Sequence, residues 1–236
     1  ETAWMPKVDA EAAVINIVLA DAFIQARLHL ETERVVLLSS RVVSQLKHIY
    51  DAARSAPAFD EYSFFSKLAL KSKLLQKCAK ASVICVPVAE DHNFSWNVLL
   101  NAESIIAMVS FDSTGSHLEI VNGLLRSLLQ GLASKEPDIV HVNVKKKIGD
   151  PQLCAAATVC FGCKSFPCIR SLKEPHQLLE ALLGLKISEK DYEPSREKQE
   201  ELMFMIYKVR TFLSLSHSRE ERAVQVNRMR VDKNGT

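Results

Sequence analysis

The chain has 236 residues, 47% of them hydrophobic, which is enough for one sizeable core in a single large domain. Its formal net charge of +2 excludes a strong field that would draw it to nucleic acid, and Lys145-Lys146-Lys147 reads as a local, solvated strand end. No transmembrane span is present, because the longest apolar stretch, "AAVINIVLADAF", is interrupted by Asn16 and Asp21.

Residues 10–30 carry apolar positions at helical spacing and predict a long helix. Val35 to Leu38 is a short apolar run with the character of a buried strand. Ser39 or Ser40 then caps a helix expected from about Arg41 to Tyr50. Residues 51–66, with Pro57 and several aromatics, read as loop and short helix, and "FFSKLALKSKLLQKCAK" reads as helix. "ASVICVPVAE" is rich in β-branched residues and predicts a central strand. "SWNVLLNAE" and "SIIAMVSFDS" follow as two more strands, with a turn near Asn101 to Ser104.

"HLEIVNGLLRSLLQGLAS" is an amphipathic helix and "DIVHVNVKK" another strand. "DPQLCAAATVCFGCKSF" opens on turn residues and continues in Ala-rich composition, so Cys154 is expected at a helix N-terminus. "EPHQLLEALLGL" and "SREKQEELMFMIYKVRTFLSL" predict two further helices, the second capped by Ser195. The order is helices, a small sheet, then helices, which predicts an α+β or α/β sandwich.

An acid in "FDSTGS", a histidine in "EDHNFSW" and a cysteine in "QLCAAATVC" raise the chemistry of a cysteine protease. "FSWNVLLNAESIIAMVSFDSTGS" followed by "QLCAAATVC" resembles the ubiquitin-like-protein protease family, the sentrin/SUMO-specific proteases and deneddylases. In that family a strand carries His-Trp, the next ends in Asp-Ser, and a helix opens on the catalytic Cys. The gaps from Trp96 to Asp112 and from Asp112 to Cys154 are similar to those of the deneddylase branch, and the resemblance covers roughly residues 12–213.

The resemblance implies an α+β, papain-like superfold, with a small central sheet flanked by helices. It implies one cysteine-peptidase-like domain over 1–213 and a charged tail over 214–236. By the same resemblance Cys154 is the nucleophile, Asp112 the acid that orients a base, and Trp96 an aromatic that helps cover a channel for an extended tail. No cofactor is implied. The expected partner is a protein, either a ubiquitin-like modifier or a larger complex, with no nucleic acid and no membrane.

The chain departs from the pattern at decisive places. Ser95 stands where the catalytic His belongs. His92, three residues earlier, is the alternative base, but an odd offset puts it on the opposite strand face and roughly 10 Å away unless a bulge intervenes. His117, on the loop after Asp112, is a second alternative. The family's oxyanion glutamine is replaced by Gly149 or Ile148, and Gln152 is a weak substitute. Asp-Cys-Gly has become Leu153-Cys154-Ala155, and Trp4 lacks the family's flanking residues. The expected function is therefore a degenerate protease domain acting in protein interaction. The alternative is an active isopeptidase or processing protease using Cys154 and Asp112 with a relocated His.

Six cysteines in a chain of this length do not make a disulfide framework, and four of them lie between Cys154 and Cys168. A reducing intracellular setting, cytoplasmic or nuclear, is expected. Cys160 and Cys163 form a C-x-x-C within a helical run, where small buried thiols are commoner than zinc ligands, so no metal site is expected.

Overall fold

The β-branched run that predicts a strand does form one, and its pairing organises the fold. The computed structural model describes residues 7–57, 59–90, 93–112, 119–133, 140–145 and 154–185. Five strands, β1 (Val35–Leu37), β2 (Val83–Glu90), β3 (Asn93–Ala102), β4 (Ile105–Asp112) and β5 (Val140–Lys145), lie in one sheet in sequence order. β1 runs parallel to β2, β2–β3–β4 is an antiparallel meander, and β5 is parallel to β4. β2 lies inside the sheet between β1 and β3, as its composition predicts, and β3 is the middle strand.

Seven helices accompany the sheet among the described residues: α1 (Lys7–Gln25), α2 (Ser40–Arg54), α3 (Glu61–Lys71), α4 (Lys73–Lys80), α5 (Glu119–Ala133), α6 (Cys154–Ser171) and α7 (Pro175–Leu183). The chain divides into two compact units, Ile15–Glu193 and a second made of Glu1–Val14 with Pro194–Thr236. Of the second, only the opening turns of α1 are described. The expected boundary at 214 and the Ser195-capped helix lie outside the described residues.

Side-chain alternation gives the sheet of the larger unit two apolar faces. Cys85, Trp96, Val98, Val109 and Phe111 meet Ile15, Leu19 and Phe23 of α1, Phe161, Phe166 and Ile169 of α6, and Leu178 and Leu182 of α7. Ile84, Val86, Val88, Leu99 and Met108 meet α2, α3, α4 and α5. The result is the expected α+β class, with helices on both faces of a small sheet. No helix among the described residues is long and apolar enough to cross a membrane.

Local chemistry explains where elements stop. Ser39 caps α2 through an acceptor contact from Val42 N–H at 3.4 Å, so α2 begins at Ser40. The single helix expected over "FFSKLALKSKLLQKCAK" is two. Ser72 turns extended (φ −109°, ψ 116°) and its hydroxyl accepts from Leu75 N–H at 3.3 Å, capping α4. The first helix, expected to reach residue 30, ends at Gln25, and Arg27 takes a left-handed conformation (φ 57°) before a 3-10 turn over Leu28–Leu30.

Pro87 sits inside β2, where a missing N–H is tolerated only at an edge. Val83 N–H donates to Arg34 and Cys85 accepts from Leu38, so odd-numbered residues of β2 face the β1 side. β1 has already ended by the level of Pro87.

An ionic knot ties the entry to β1 to the end of α6. Arg34 bonds both Glu31 and the Ile169 carbonyl, and Lys173 reaches Glu31 at 2.8 Å. Partial burial pushes the Glu31 carboxyl pKa up, but hydrogen bonds from Lys173 and Arg34, with their charges, bring it below its ordinary value.

Candidate active site

The β3–β4 hairpin, closed by a turn at Glu103 and Ser104, sets the register of the candidate residues. Ser95 faces Asp112 directly, Trp96 faces Phe111, and Asn97 faces Ser110. Asp112 in turn pairs with Lys145 on β5. The expected adjacency of the Trp96 and Asp112 strands is present. Cys154 is the first residue of α6, as the "DPQ" turn and Ala-rich run predict. The backbones of Asp112 and Cys154 are thus placed, while their side chains lie outside the described set. His92, His117, Gln152, Gly149, Ile148 and Trp4 lie outside the described residues.

Ser95 is buried, at 1% exposure. Its hydroxyl accepts a hydrogen bond from Asn97 Nδ2 at 3.0 Å, and the same amide group donates to the Val86 carbonyl at 3.3 Å. The other end of that amide, Asn97 Oδ1, is buried with no hydrogen-bond partner. Asn97 was not singled out from the sequence, although an i, i+2 spacing on a strand places it on the face of Ser95. Ser110, opposite Asn97, is also buried.

Trp96 points the other way, into the layer that contains α6. Its indole N–H donates to Ser165 Oγ at 3.2 Å, and Ser165 donates to the Gly162 carbonyl at 2.7 Å. Its ring meets Phe166 edge-on at 5.4 Å between centroids. Gly162 is required for this approach, since a Cβ there would lie 3.3 Å from the Trp96 ring and 2.5 Å from Leu19 Cδ2. The ring is 0% exposed. Here it is a core residue with its polar atom satisfied. The side chain at position 95 therefore leaves the sheet on the face opposite the one against which α6 packs.

On α6, one turn after Cys154, Thr158 carries a fully buried hydroxyl without a hydrogen-bond partner. Cys160, Cys163 and Cys168 are half-buried and pack against the same core. Among the described residues no group of three or more His, Cys, Asp and Glu side chains is placed to hold a metal ion. Cys78 and Cys85, fully buried thiols among the described residues, lie elsewhere. Burial pushes Cys78 up to about 12 and Cys85 far above the ordinary thiol range, so neither is a nucleophile near neutral pH.

No family model matches the chain, and no curated protein matches it in sequence. Among solved structures it is similar to a de-sumoylating protease, with a TM-score of 0.51 and 15% identity, over 97% of this chain and 86% of that one. It is also similar to the central domain of the uncharacterized Lpg1148 protein from Legionella pneumophila, with a TM-score of 0.39 and 18% identity, over 73% of this chain and 89% of that one. At 15% identity the first likeness establishes a shared fold, and it agrees with the fold that the family resemblance implied.

Proposed function

We propose that the chain is a catalytically degenerate ubiquitin-like-protein protease domain that works as a protein-interaction or scaffold component in a reducing compartment, without a cofactor. One observation carries this reading: the residue opposite Asp112 on β3, immediately before Trp96, is a buried serine. A thiol attacks as thiolate and needs a partner that accepts its proton and later protonates the leaving amine. A serine hydroxyl does neither near neutral pH. A helix N-terminus lowers the pKa of a thiol somewhat, but it supplies no group that takes up the proton and returns it. General acid–base catalysis is typically worth about 10²–10⁴-fold, so its loss leaves a very slow enzyme at best.

The fold shared with a de-sumoylating protease supports a ubiquitin-like modifier as the class of partner. The test uses ubiquitin-like proteins carrying a C-terminal electrophile, offered to the wild-type chain. The expected result is reversible binding of one of them without a covalent adduct on Cys154. An adduct that forms rapidly, disappears in Cys154→Ser and is slowed in His92→Ala or His117→Ala would overturn the reading in favour of an active protease.

A further inference from the structure

β1 pairs with β2 only from Val83 to Cys85, while β2 continues to Glu90. Backbone groups alternate in direction along a strand, so Pro87 and Ala89 direct theirs to the same side as Val83 and Cys85, past the end of β1. Among the described residues no strand pairs with that side. Pro87 supplies a carbonyl and no N–H, whereas Ala89 supplies both.

Beside this edge is a pocket of about 200 Å³, lined by Ser44, Lys47, His48 and Asp51 of α2 and by Val88 and Ala89 of β2. The four α2 residues recur at i, i+3, i+4 and i+7 and so occupy one helix face.

We propose that the end of β2 and this face of α2 form a docking groove for an extended segment of a partner polypeptide, added to the sheet as a strand. An unpaired strand edge is recognised by extended backbone, which adds to the sheet through main-chain hydrogen bonds while neighbouring pockets take its side chains. The pattern of groups also fixes register, because one donor, at Ala89, stands between two acceptors, at Pro87 and Ala89. Lys47 and Asp51 lie 3.8 Å apart and balance each other's charge, so the side chain entering the pocket is polar and uncharged. The inference rests on the β2 edge and not on Cys154, so it stands or falls separately from the proposed function.

The test selects short random peptides displayed on phage against the full wild-type chain. Binding of the enriched peptides is then measured by fluorescence anisotropy. Loss of the Ala89 N–H in Ala89→Pro is expected to weaken them by about tenfold or more. Ser44→Trp, which fills the pocket from the outer wall of α2 and leaves the strand untouched, is expected to abolish binding. The Ala89 amide should become protected from hydrogen exchange when peptide is bound. Should no peptide enrich, or should the enriched peptides bind both variants as they bind wild type, the proposal is wrong. If Ala89→Pro does not fold, Ser44→Trp and the exchange measurement decide it alone. Covalent labelling of Cys154 is indifferent to all of these outcomes.

Discussion

Ser95 stands directly opposite Asp112 across the β3–β4 ladder, and its buried hydroxyl is held by the Asn97 side-chain amide at 3.0 Å. The position is therefore a closed polar contact as well as a site lacking an imidazole. Ser95→His has to place a ring where a hydroxyl is enclosed. It is expected to lower stability by about 1–3 kcal/mol through overpacking. Urea unfolding of the variant measures this. Wild-type stability in Ser95→His would show that space for an imidazole is already present, and the variant would then be a clean probe of catalysis.

Two glycines permit close helix packing, and their substitutions should differ in cost. A Cβ at Gly131 of α5 would lie 2.4 Å from Phe65 Cβ on α3 and 3.2 Å from Ser66 N, atoms fixed to or in the backbone. At Gly162 the nearest atom is Leu19 Cδ2, the far end of a side chain that can rotate. Both substitutions to Ala are expected to destabilise, by roughly 1–3 kcal/mol for Gly162 and more for Gly131. Thermal unfolding of the pair gives the order, and equal losses would mean that α3 and α5 separate freely.

The thiols of Cys78 and Cys85 should resist iodoacetamide in the folded chain at mildly alkaline pH and react on unfolding. Mass spectrometry of alkylated peptides reports this directly. The sign of the pH effect follows from the raised pKa. The unfolded Cys78 thiol ionises near its ordinary value of 9.0, while the folded one keeps its proton until about 12. The unfolded state then binds fewer protons, so stability falls as pH rises through that window, by about 1.4 kcal/mol per pH unit for each such thiol. Cys78→Ala should lack this thiol's share of the decline, and an unchanged slope would refute the assignment.

Glu31 has the opposite sign. Its folded pKa is lowered, so its contribution is present above the ordinary value of 4.5 and is lost as pH falls through the lowered one. Glu31→Gln is expected to cost roughly 0.5–1 kcal/mol at neutral pH, because the pairs with Lys173 and Arg34 are partly exposed. The difference from wild type should shrink with added salt and vanish in acid. A salt-independent loss would assign the effect to packing instead.

Much of the fold was legible because it depends on neighbours in sequence. The β-branched "SVICVPV" run, the alternation in "SWNVLLNA" and the Ala-rich run after Cys154 each specify an element through local sterics and periodicity, and each element forms. The Ser39 cap and the turn at Glu103 and Ser104 are local in the same sense. The resemblance carried by the motifs around Trp96, Asp112 and Cys154 implied the fold that a de-sumoylating protease shares. The residue types alone also revealed that the residue immediately before Trp96 is Ser95 and not a histidine.

Other features were decided by partners distant in the chain. Alternation separates Ser95 from Trp96 but does not say which of them meets α6. That depends on Ser165, 69 positions away, and on a glycine that admits the ring. Pro87 argues against an interior strand until β1 is seen to stop short of it. The physical reason is the same in each case. Local sterics choose between helix and strand within a few residues, whereas face, edge and burial depend on which remote surfaces exclude water together, and no window of sequence contains both surfaces.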